Sequence, residues 1–452
     1  MASYISNMTE GSEFKHLIHF SIPLLIGNMF QQFYSIVNSV VVGRFLGKNA
    51  LAAVGIAGTL HFMFFSLCFG LAVGVGIVIS HYFGAKKADK VKQTIGNSIY
   101  VIMLSSVVLG ILGILFTKQI LVLMQTPTEI MGETIAYFRI LCAGVIFVGG
   151  YNGISAILRA LGDSKTPLIF LLISCAINAV LDIAFVVFLH KGIEWVAIAT
   201  IFSQAVAMIG SILLPLKNNE YLHIRSKHMR LDKEILIKVA SMGFPVALQN
   251  LMVAFSMVIL QGVVNRFGAS AMAAFTATSR VEQLTGQPFN SMGAAMTTFT
   301  GQNLGAGKTD RVRKALFKSI RVVVIFAAFM WLMVALFGQW IVGQFVTDPE
   351  VIRIGHIGLL ITGPFYVVLG LIYVIRGLLN GAGDGTFALI IGFVEIAGRV
   401  GLSLLFASIA GIGVWGVWWT SGVTWAIVAL TAIIRYRQGK WDKFGRLRDD
   451  SN

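Results

Sequence analysis

Long apolar runs separated by short polar clusters dominate the chain. Each run has about 20 or more mostly apolar residues, enough for a helix to cross a bilayer core of ~30 Å. The clusters between the runs are rich in Gly, Pro, Asn, Asp and Lys. The pattern predicts twelve transmembrane helices, near residues 16–42, 50–80, 94–116, 132–158, 167–189, 194–216, 236–264, 270–300, 314–338, 352–378, 387–409 and 413–435. The predicted fold class is an all-α integral membrane protein.

Composition excludes the soluble classes. Of the 452 residues 56% are hydrophobic and only 12% are charged, too few charges to cover a water-soluble globule of this size. The three cysteines, Cys68, Cys142 and Cys175, each lie inside an apolar run, without His or Cys at metal-ligand spacing. We therefore expect no disulfide framework, no zinc site and no soluble enzyme.

The basic residues that give the net charge of +15 are concentrated on one side of the predicted membrane. Most of the 35 Lys and Arg residues fall at the termini and in the loops after the second, fourth, sixth, eighth and tenth spans. By the positive-inside rule this distribution predicts a multi-pass protein of the cell membrane with both termini in the cytoplasm. The basic excess orients the helices, and we expect no nucleic-acid partner.

An internal repeat covers most of the chain. HYFGAKKADKVK at 81–92 matches QNLGAGKTDRVR at 302–313 with an offset of 221, and in the first span an offset of 222 pairs Pro23 with Pro245. Each copy has six spans, so both copies enter the membrane in the same orientation, as in secondary transporters with a site near the interface of two bundles. The predicted segments are a tail at 1–15, a six-helix bundle at 16–216, a linker at 217–235, a second bundle at 236–436 and a basic tail at 437–452.

One nucleotide-binding motif fails on inspection. GAGKT at 305–309 resembles the end of a phosphate loop, but that loop requires glycine at the position of Gln302. A glycine turn with inward-facing lysines explains the segment, and no nucleotide partner is expected.

The first span, IPLLIGNMFQQFYSIVNSVVVGRFLGKNALAAVG, and the two G-A-x-K loops resemble the multidrug and toxic compound extrusion (MATE) family, most closely its bacterial branches. The resemblance covers about residues 15–435. It implies a V-shaped pair of six-helix bundles with a central cavity, working as a monomer without a cofactor. It also implies exchange of inward-moving H⁺ or Na⁺ for an outgoing amphipathic, often cationic compound.

Asp182 is the sharpest candidate for chemistry inside the membrane. Asn178 precedes it by four residues on one helix face, and no Lys or Arg lies within a turn. Such a carboxylate would bind a proton, or hold Na⁺ with other oxygen donors, the only metal ion we expect here. The resemblance implies that Thr200 completes this site and that Asn38 stands where the family usually has an aspartate. The alternative is a structural polar network that locks the first and fifth spans together.

Two other intramembrane acids have basic residues nearby. Glu395 and Arg399 are spaced for a helix ion pair, which we interpret as structural. Glu282 is a receptor for cationic substrate, a second proton site, or the partner of Arg399 or Arg280; the sequence leaves these open.

Adaptable side chains in the first, seventh, eighth and tenth spans suit a cavity for varied drugs. Besides Glu282, the candidate substrate-binding residues are Gln31, Gln32, Tyr34, Gln249, Asn250, Gln283, Gln287, Met292, Tyr366 and Tyr373. Pro23 and Pro245 are hinge candidates, with a static kink as the alternative.

The sequence thus predicts a multidrug efflux antiporter working by alternating access and not an enzyme. The nearest rival is a flippase for lipid-linked precursors of the same superfamily. A flippase should present a cationic cavity for pyrophosphate, and the in-span arginines that we identify, Arg280 and Arg399, have possible acidic partners. A membrane-embedded enzyme would need a catalytic motif, and a channel a filter-like loop; we find neither in the sequence.

Overall fold

The computed structural model describes residues 5–409 and 413–444, and within these ranges the chain forms helices and loops only. The helices are α1 Glu13–Phe45, α2 Lys48–Gly84, α3 Ala88–Leu123, α4 Thr128–Ala143, α5 Val145–Ala160, α6 Lys165–Ile183, α7 Ile193–Leu216, α8 Lys233–Val264, α9 Ala269–Gly305, α10 Thr309–Gly343, α11 Pro349–Thr362, α12 Tyr366–Ala382, α13 Gly385–Ser408, α14 Gly416–Arg437 and α15 Trp441–Phe444. Half of the predicted basic tail, residues 445–452, lies outside the described residues.

Each of the twelve predicted spans coincides with a helix or a broken helix. The fourth span is not continuous, because α4 and α5 meet at Gly144 with a bend of 47°. A Cβ at Gly144 would lie 2.3 Å from Ile201, so α7 can approach the bend only where the side chain is missing. The tenth span is interrupted by the 3₁₀ turn Gly363–Phe365, where Pro364 has no N–H to donate. These two spans are therefore each built from two helical segments.

Apolar length separates the helices into two groups. Among the described residues nine helical segments are long and apolar enough to cross a membrane, and the bent pair α4 and α5 makes a tenth. The helices α1 and α9 are also longer than a span, with 33 and 37 residues, but polar side chains recur along both. These polar positions include several of the candidate site residues.

The chain packs as two compact units, which differ from the predicted repeat boundaries. Unit 1 comprises Met1–Asn7 and Pro23–Ala247, and unit 2 comprises Met8–Ile22 and Leu248–Asn452. The start of α1 thus belongs to unit 2 and the start of α8 to unit 1. The predicted limits at 216 and 236 follow the sequence repeat, whereas packing assigns the first turns of α1 and α8 to the opposite copy.

Each unit has its own apolar core. In unit 1 the core gathers side chains from α2, α4 and α7, including Leu60, Phe138 and Val196. In unit 2 a core cluster surrounds Trp418, whose indole N–H donates to the hydroxyl of Thr278 at 3.1 Å. This hydrogen bond satisfies the polar edge of a buried aromatic ring, so the indole N–H is not left unpaired in the interior.

Candidate functional site

The candidate cation site lies in unit 1 at the end of α6. The side chains of Asn178 and Asp182 are buried, 2% and 1% exposed, on the same face of the helix. Immediately after Asp182 the helix widens into a π-helix over Ala184–Phe188. Such wider turns are rare and are frequent at functional sites, because they re-aim the side chains and carbonyls next to them.

Two further helices supply polar groups to the same place. The amide of Asn178 donates to the hydroxyl of Thr200 on α7 at 3.5 Å, and that hydroxyl donates to the carbonyl of Val196 at 3.0 Å. On α1 the amide of Asn38 donates to the hydroxyl of Tyr34 at 3.2 Å. Tyr34 in turn hydrogen-bonds with Thr200 and interacts electrostatically with Asp182. The structure therefore brings Asn38, Asn178, Thr200 and Asp182 together.

The site has more acceptor oxygens than donors. Both carboxylate oxygens of Asp182 and the amide oxygens of Asn38 and Asn178 are buried without a hydrogen-bond partner. Leaving a polar atom of this kind unsatisfied costs about 1–3 kcal/mol, and more where the atom is charged. A proton on the carboxylate or a small cation among the oxygens would remove this cost. The donor set of one carboxylate, two amides and hydroxyls fits H⁺ or Na⁺ equally.

Two tyrosines at this site change the sequence-based interpretation. Tyr34, predicted among the substrate-binding residues, lies beside Asn38 and Thr200 at the candidate cation site. Tyr137 on α4 is buried and interacts electrostatically with both Tyr34 and Asp182, and sequence reasoning missed it. Tyr137 is far from Asp182 in the sequence and stands in an ordinary apolar helix pattern, so only the packing of α4 reveals its place.

Unit 2 holds a second buried polar cluster. The guanidinium of Arg399 donates to the carboxylate of Glu395 at 3.1 Å, and both side chains are buried on α13. On α9, Glu282 hydrogen-bonds with Thr362 and interacts with the charge of Arg399, while its Oε1 is buried without a partner. Tyr366 lies beside Thr362 and interacts electrostatically with Glu282. The structure thus links Glu282 to Arg399, whereas Arg280 on the same helix is exposed.

The remaining candidates for substrate binding are spread over both units. In unit 1, Gln31 is exposed and Gln32 half-buried; in unit 2, Gln283 is exposed, Asn250, Gln287 and Tyr373 are half-buried, and Gln249 and Met292 are buried. Tyr373 stacks under the guanidinium of Arg376, with the Arg376 carbon 4.7 Å from the ring centroid. The hinge candidates Pro23 and Pro245 lie inside the continuous helices α1 and α8. Their role stays a prediction.

The described part of the chain shows no ligand cluster of the kind that binds transition-metal ions. Within residues 5–409 and 413–444, no group of three or more His, Cys, Asp or Glu side chains is placed to hold a metal ion. The acceptor oxygens around Asp182 come mainly from amides and hydroxyls, which is the chemistry of a weakly bound monovalent cation or a proton.

Comparison with known proteins shows which family the sequence matches. The MatE family model matches residues 23–184 and 245–405, one match in each repeat copy. The chain is 29% identical to the probable multidrug resistance protein YoeA of Bacillus subtilis, covering 94% of this chain and 93% of that protein. It is 25% identical to the multidrug export protein MepA of Staphylococcus aureus, with 93% of each chain covered.

Solved structures share the fold. A MOP superfamily transporter from Pyrococcus furiosus superposes with a TM-score of 0.91 at 22% identity, covering 99% of this chain and 100% of the other. A MATE structure in the bent conformation gives a TM-score of 0.91 at 24% identity, covering 98% of this chain and 99% of the other.

Proposed function

The chain belongs to the MatE family, and from that premise we propose that it is a multidrug efflux antiporter. It exports amphipathic, often cationic compounds in exchange for H⁺ or Na⁺ by alternating access. The names of its relatives, a multidrug resistance protein and a multidrug export protein, support the export of drugs over the flipping of lipid-linked precursors.

The observation that carries the coupling mechanism is the set of unpartnered acceptor oxygens around Asp182. When the cation binds there, it neutralises the carboxylate and satisfies the oxygens of Asn38 and Asn178. Because Asn38 and Tyr34 lie on α1 while Asp182 lies on α6, cation binding changes how α1 packs in unit 1. If the cation binds one packing arrangement of α1 more tightly than the other, the cation gradient can drive transport.

Export of cationic compounds requires a receptor for positive charge in the substrate path. Glu282 meets this requirement, since its Oε1 is buried without a hydrogen-bond partner and the charge of Arg399 is already matched by Glu395. Aromatic side chains such as Tyr366 and Tyr373 can contribute contacts with cations. The exporter works in the cell membrane as a monomer with both termini in the cytoplasm.

A transport assay with the purified protein in liposomes tests the coupling. Asp182→Asn should abolish the uptake of ethidium, a cationic dye, that an imposed pH or Na⁺ gradient drives in the wild-type protein. The matched control is Asp310→Asn, the same change at an exposed residue of α10. Gradient-driven uptake at the wild-type rate in Asp182→Asn would overturn the mechanism.

The same vesicles identify the coupling ion. A pH gradient at equal Na⁺ and a Na⁺ gradient at equal pH are imposed separately. Uptake that responds to only one gradient names that ion, and uptake by the wild-type protein that ignores both would overturn the antiport proposal itself.

A further inference from the structure

The segment ahead of α1 is bound by unit 2 through a dense set of polar contacts. Residues 8–13 lie across the end of α9 and the start of α10. The backbone N–H of Met8 donates to the side-chain oxygen of Gln302 at 2.9 Å, and the Met8 carbonyl accepts from Asn303 and Arg311, each at 3.2 Å. Met8 itself is 1% exposed. The apolar side chain of Met8 is thus buried, while its backbone is held by polar side chains of unit 2.

Arg311 and two lysines add further polar contacts to the same segment. The guanidinium of Arg311 donates to the Gly11 carbonyl at 2.9 Å and to the carboxylate of Glu13 at 3.3 Å. Lys318 donates to the other oxygen of Glu13 at 2.7 Å, and Lys308 donates to the carbonyl of Thr9 at 2.9 Å. We call residues 8–13 together with Gln302, Asn303, Lys308, Arg311 and Lys318 the N-terminal latch.

The linker ahead of α8 is bound in the same way by unit 1. Lys90 on α3 donates to the carboxylate of Asp232, which directly precedes α8, at 3.4 Å. Asn97 on α3 donates to the carbonyl of Arg230 at 3.1 Å and accepts from the backbone N–H of Asp232 at 2.9 Å. Asp89 adds contacts to Lys227 and to the buried ring of His228. We call residues 225–232 together with Asp89, Lys90 and Asn97 the linker latch.

The two latches use equivalent positions of the internal repeat. With the offset of 221, Lys90 corresponds to Arg311 and Asn97 to Lys318; with the first-span offset of 222, Met8 corresponds to Arg230. In both copies a basic residue on the third helix binds an acid near the start of a first helix, although Glu13 and Asp232 are not equivalent in the repeat. The equivalent carbonyls of Met8 and Arg230 both accept side-chain hydrogen bonds, from donors at different repeat positions. A contact between the third helix and the segment ahead of the first helix thus occurs in both copies, which points to a role for it.

Each latch joins a segment of one repeat copy to a helix of the other copy. The segment that leads into α1, the first helix of the N-terminal copy, binds α10 of the C-terminal copy, and the segment that leads into α8 binds α3 of the N-terminal copy. Accordingly Met8–Ile22 packs in unit 2 while α1 from Pro23 onwards packs in unit 1, and α8 changes unit after Ala247. Each first helix is therefore fastened at its start to one unit and contributes its remaining length to the other.

We propose that these latches are positioning devices for transport, which hold the starts of α1 and α8 so that movement of one unit is passed into the helix. The inference goes beyond the proposed coupling at Asp182, although its transport readout rests on that function. Because the starts of α1 and α8 are held in place, we expect movement of the units to bend these helices near Pro23 and Pro245 instead of sliding the helix ends. Because Asn38 and Tyr34 lie on α1, the N-terminal latch is connected to the cation site through that helix.

Cysteine labelling tests whether Arg311 holds the N-terminal latch. Cys68, Cys142 and Cys175 are replaced and Met8→Cys is introduced as the only thiol of the full chain. In this background the buried thiol at position 8 should react slowly with a maleimide, and Arg311→Glu, which places a carboxylate beside Glu13, should raise the labelling rate at least tenfold. The matched control is Lys314→Glu, the same charge reversal at an exposed residue of α10, which should leave the rate unchanged.

Transport kinetics tests whether loosening the N-terminal latch slows transport. Without the added cysteine, Arg311→Glu should lower the maximal rate of ethidium uptake at least fivefold and leave KM unchanged. Glu13→Gln, a milder variant that removes both ion pairs, should change both readouts in the same direction by less, and it serves if Arg311→Glu does not fold.

Two results would overturn the proposal: unchanged thiol labelling at position 8 in both variants, or faster labelling with transport at the wild-type rate. If the wild-type protein does not transport the dye, the proposed function fails, and the labelling result still decides whether the latch exists.

Discussion

At the scale of single residues, Asn178 offers the sharpest test of the cation site. Its amide donates to Thr200, while its oxygen is buried and points to no donor. Asn178→Ala should weaken the apparent affinity for the coupling ion at least ~10-fold, since a polar contact to a charged group contributes about 1.5–3 kcal/mol. The dependence of uptake on H⁺ or Na⁺ concentration measures this.

Asn152 provides the matched control for that substitution. It is a half-buried asparagine on α5 of the same unit, and its amide donates to the carbonyl of Val148 on its own helix. Asn152→Ala should leave the ion dependence unchanged. Equal effects of the two substitutions would show that Asn178 acts only through general packing.

The ion pair of Asp384 and Arg435 is the residue-scale test of stability. Asp384 is buried, caps α13 by accepting from the N–H of Phe387, and binds Arg435 through two contacts of 2.6 and 3.0 Å. Arg435→Ala leaves a buried carboxylate without its cation and should destabilise unit 2 by about 3 kcal/mol. Arg437→Ala, at an exposed position on the same helix, should change stability by less than about 0.5 kcal/mol. Thermal unfolding in detergent compares the two; a loss in Arg437→Ala as large as in Arg435→Ala would contradict this account.

The residues of the candidate cation site divide into those that a local sequence pattern can find and those that it cannot. Asn178 and Asp182 are four residues apart on one helix, so their spacing alone predicts a shared face. Tyr137 joins them only because α4 packs in unit 1, and no sequence spacing expresses that contact. Tyr34 stands out in the sequence as a polar aromatic residue inside a span, but its assignment to the cation site requires the position of Thr200.

At the scale of helices, close packing between α9 and α12 predicts a strict requirement for glycine. A Cβ at Gly377 would lie 2.3 Å from the backbone carbonyl of Gly293, and backbone cannot move aside as a flexible side chain can. Gly377→Ala should therefore destabilise the protein by about 1–3 kcal/mol and lower its thermal midpoint. Gly286→Ala on α9 has open space around the new methyl group and should not lower it. A lower midpoint in Gly286→Ala alone would contradict this packing.

The N-terminal latch has a predictable response to acid. The hydrogen bond from Lys318 holds the pKa of Glu13 below its ordinary value of 4.5. A carboxylate with a depressed pKa stabilises the folded arrangement above its unfolded pKa, and this stabilisation is lost as the pH falls through the folded pKa. Hydrogen exchange of residues 8–13, corrected for intrinsic rates, should thus be constant from about pH 5 to 8. Loss of protection between pH 7 and 6 would contradict the assignment to Glu13.

Helix existence follows from the sequence more readily than helix continuity. Runs of apolar residues locate all twelve spans, because the bilayer length sets a long and simple pattern. The bend at Gly144 depends on the approach of Ile201 from α7, which is a tertiary contact. The exchange of the starts of α1 and α8 between units is likewise a property of packing, and the repeat alone places both starts with their own copies.

At the scale of the whole molecule, charge and topology make one joint prediction. The positive-inside rule assigns the linker after the sixth span to the cytoplasm and the loop after the ninth span to the outside. Asn218 in the linker and Thr347 in that loop are both exposed, so a single cysteine at either position reports the side of the membrane. In intact cells an impermeant maleimide should label Thr347→Cys and not Asn218→Cys, and permeabilised cells should label both. The reverse pattern in intact cells would invert the topology and place both latches outside the cell.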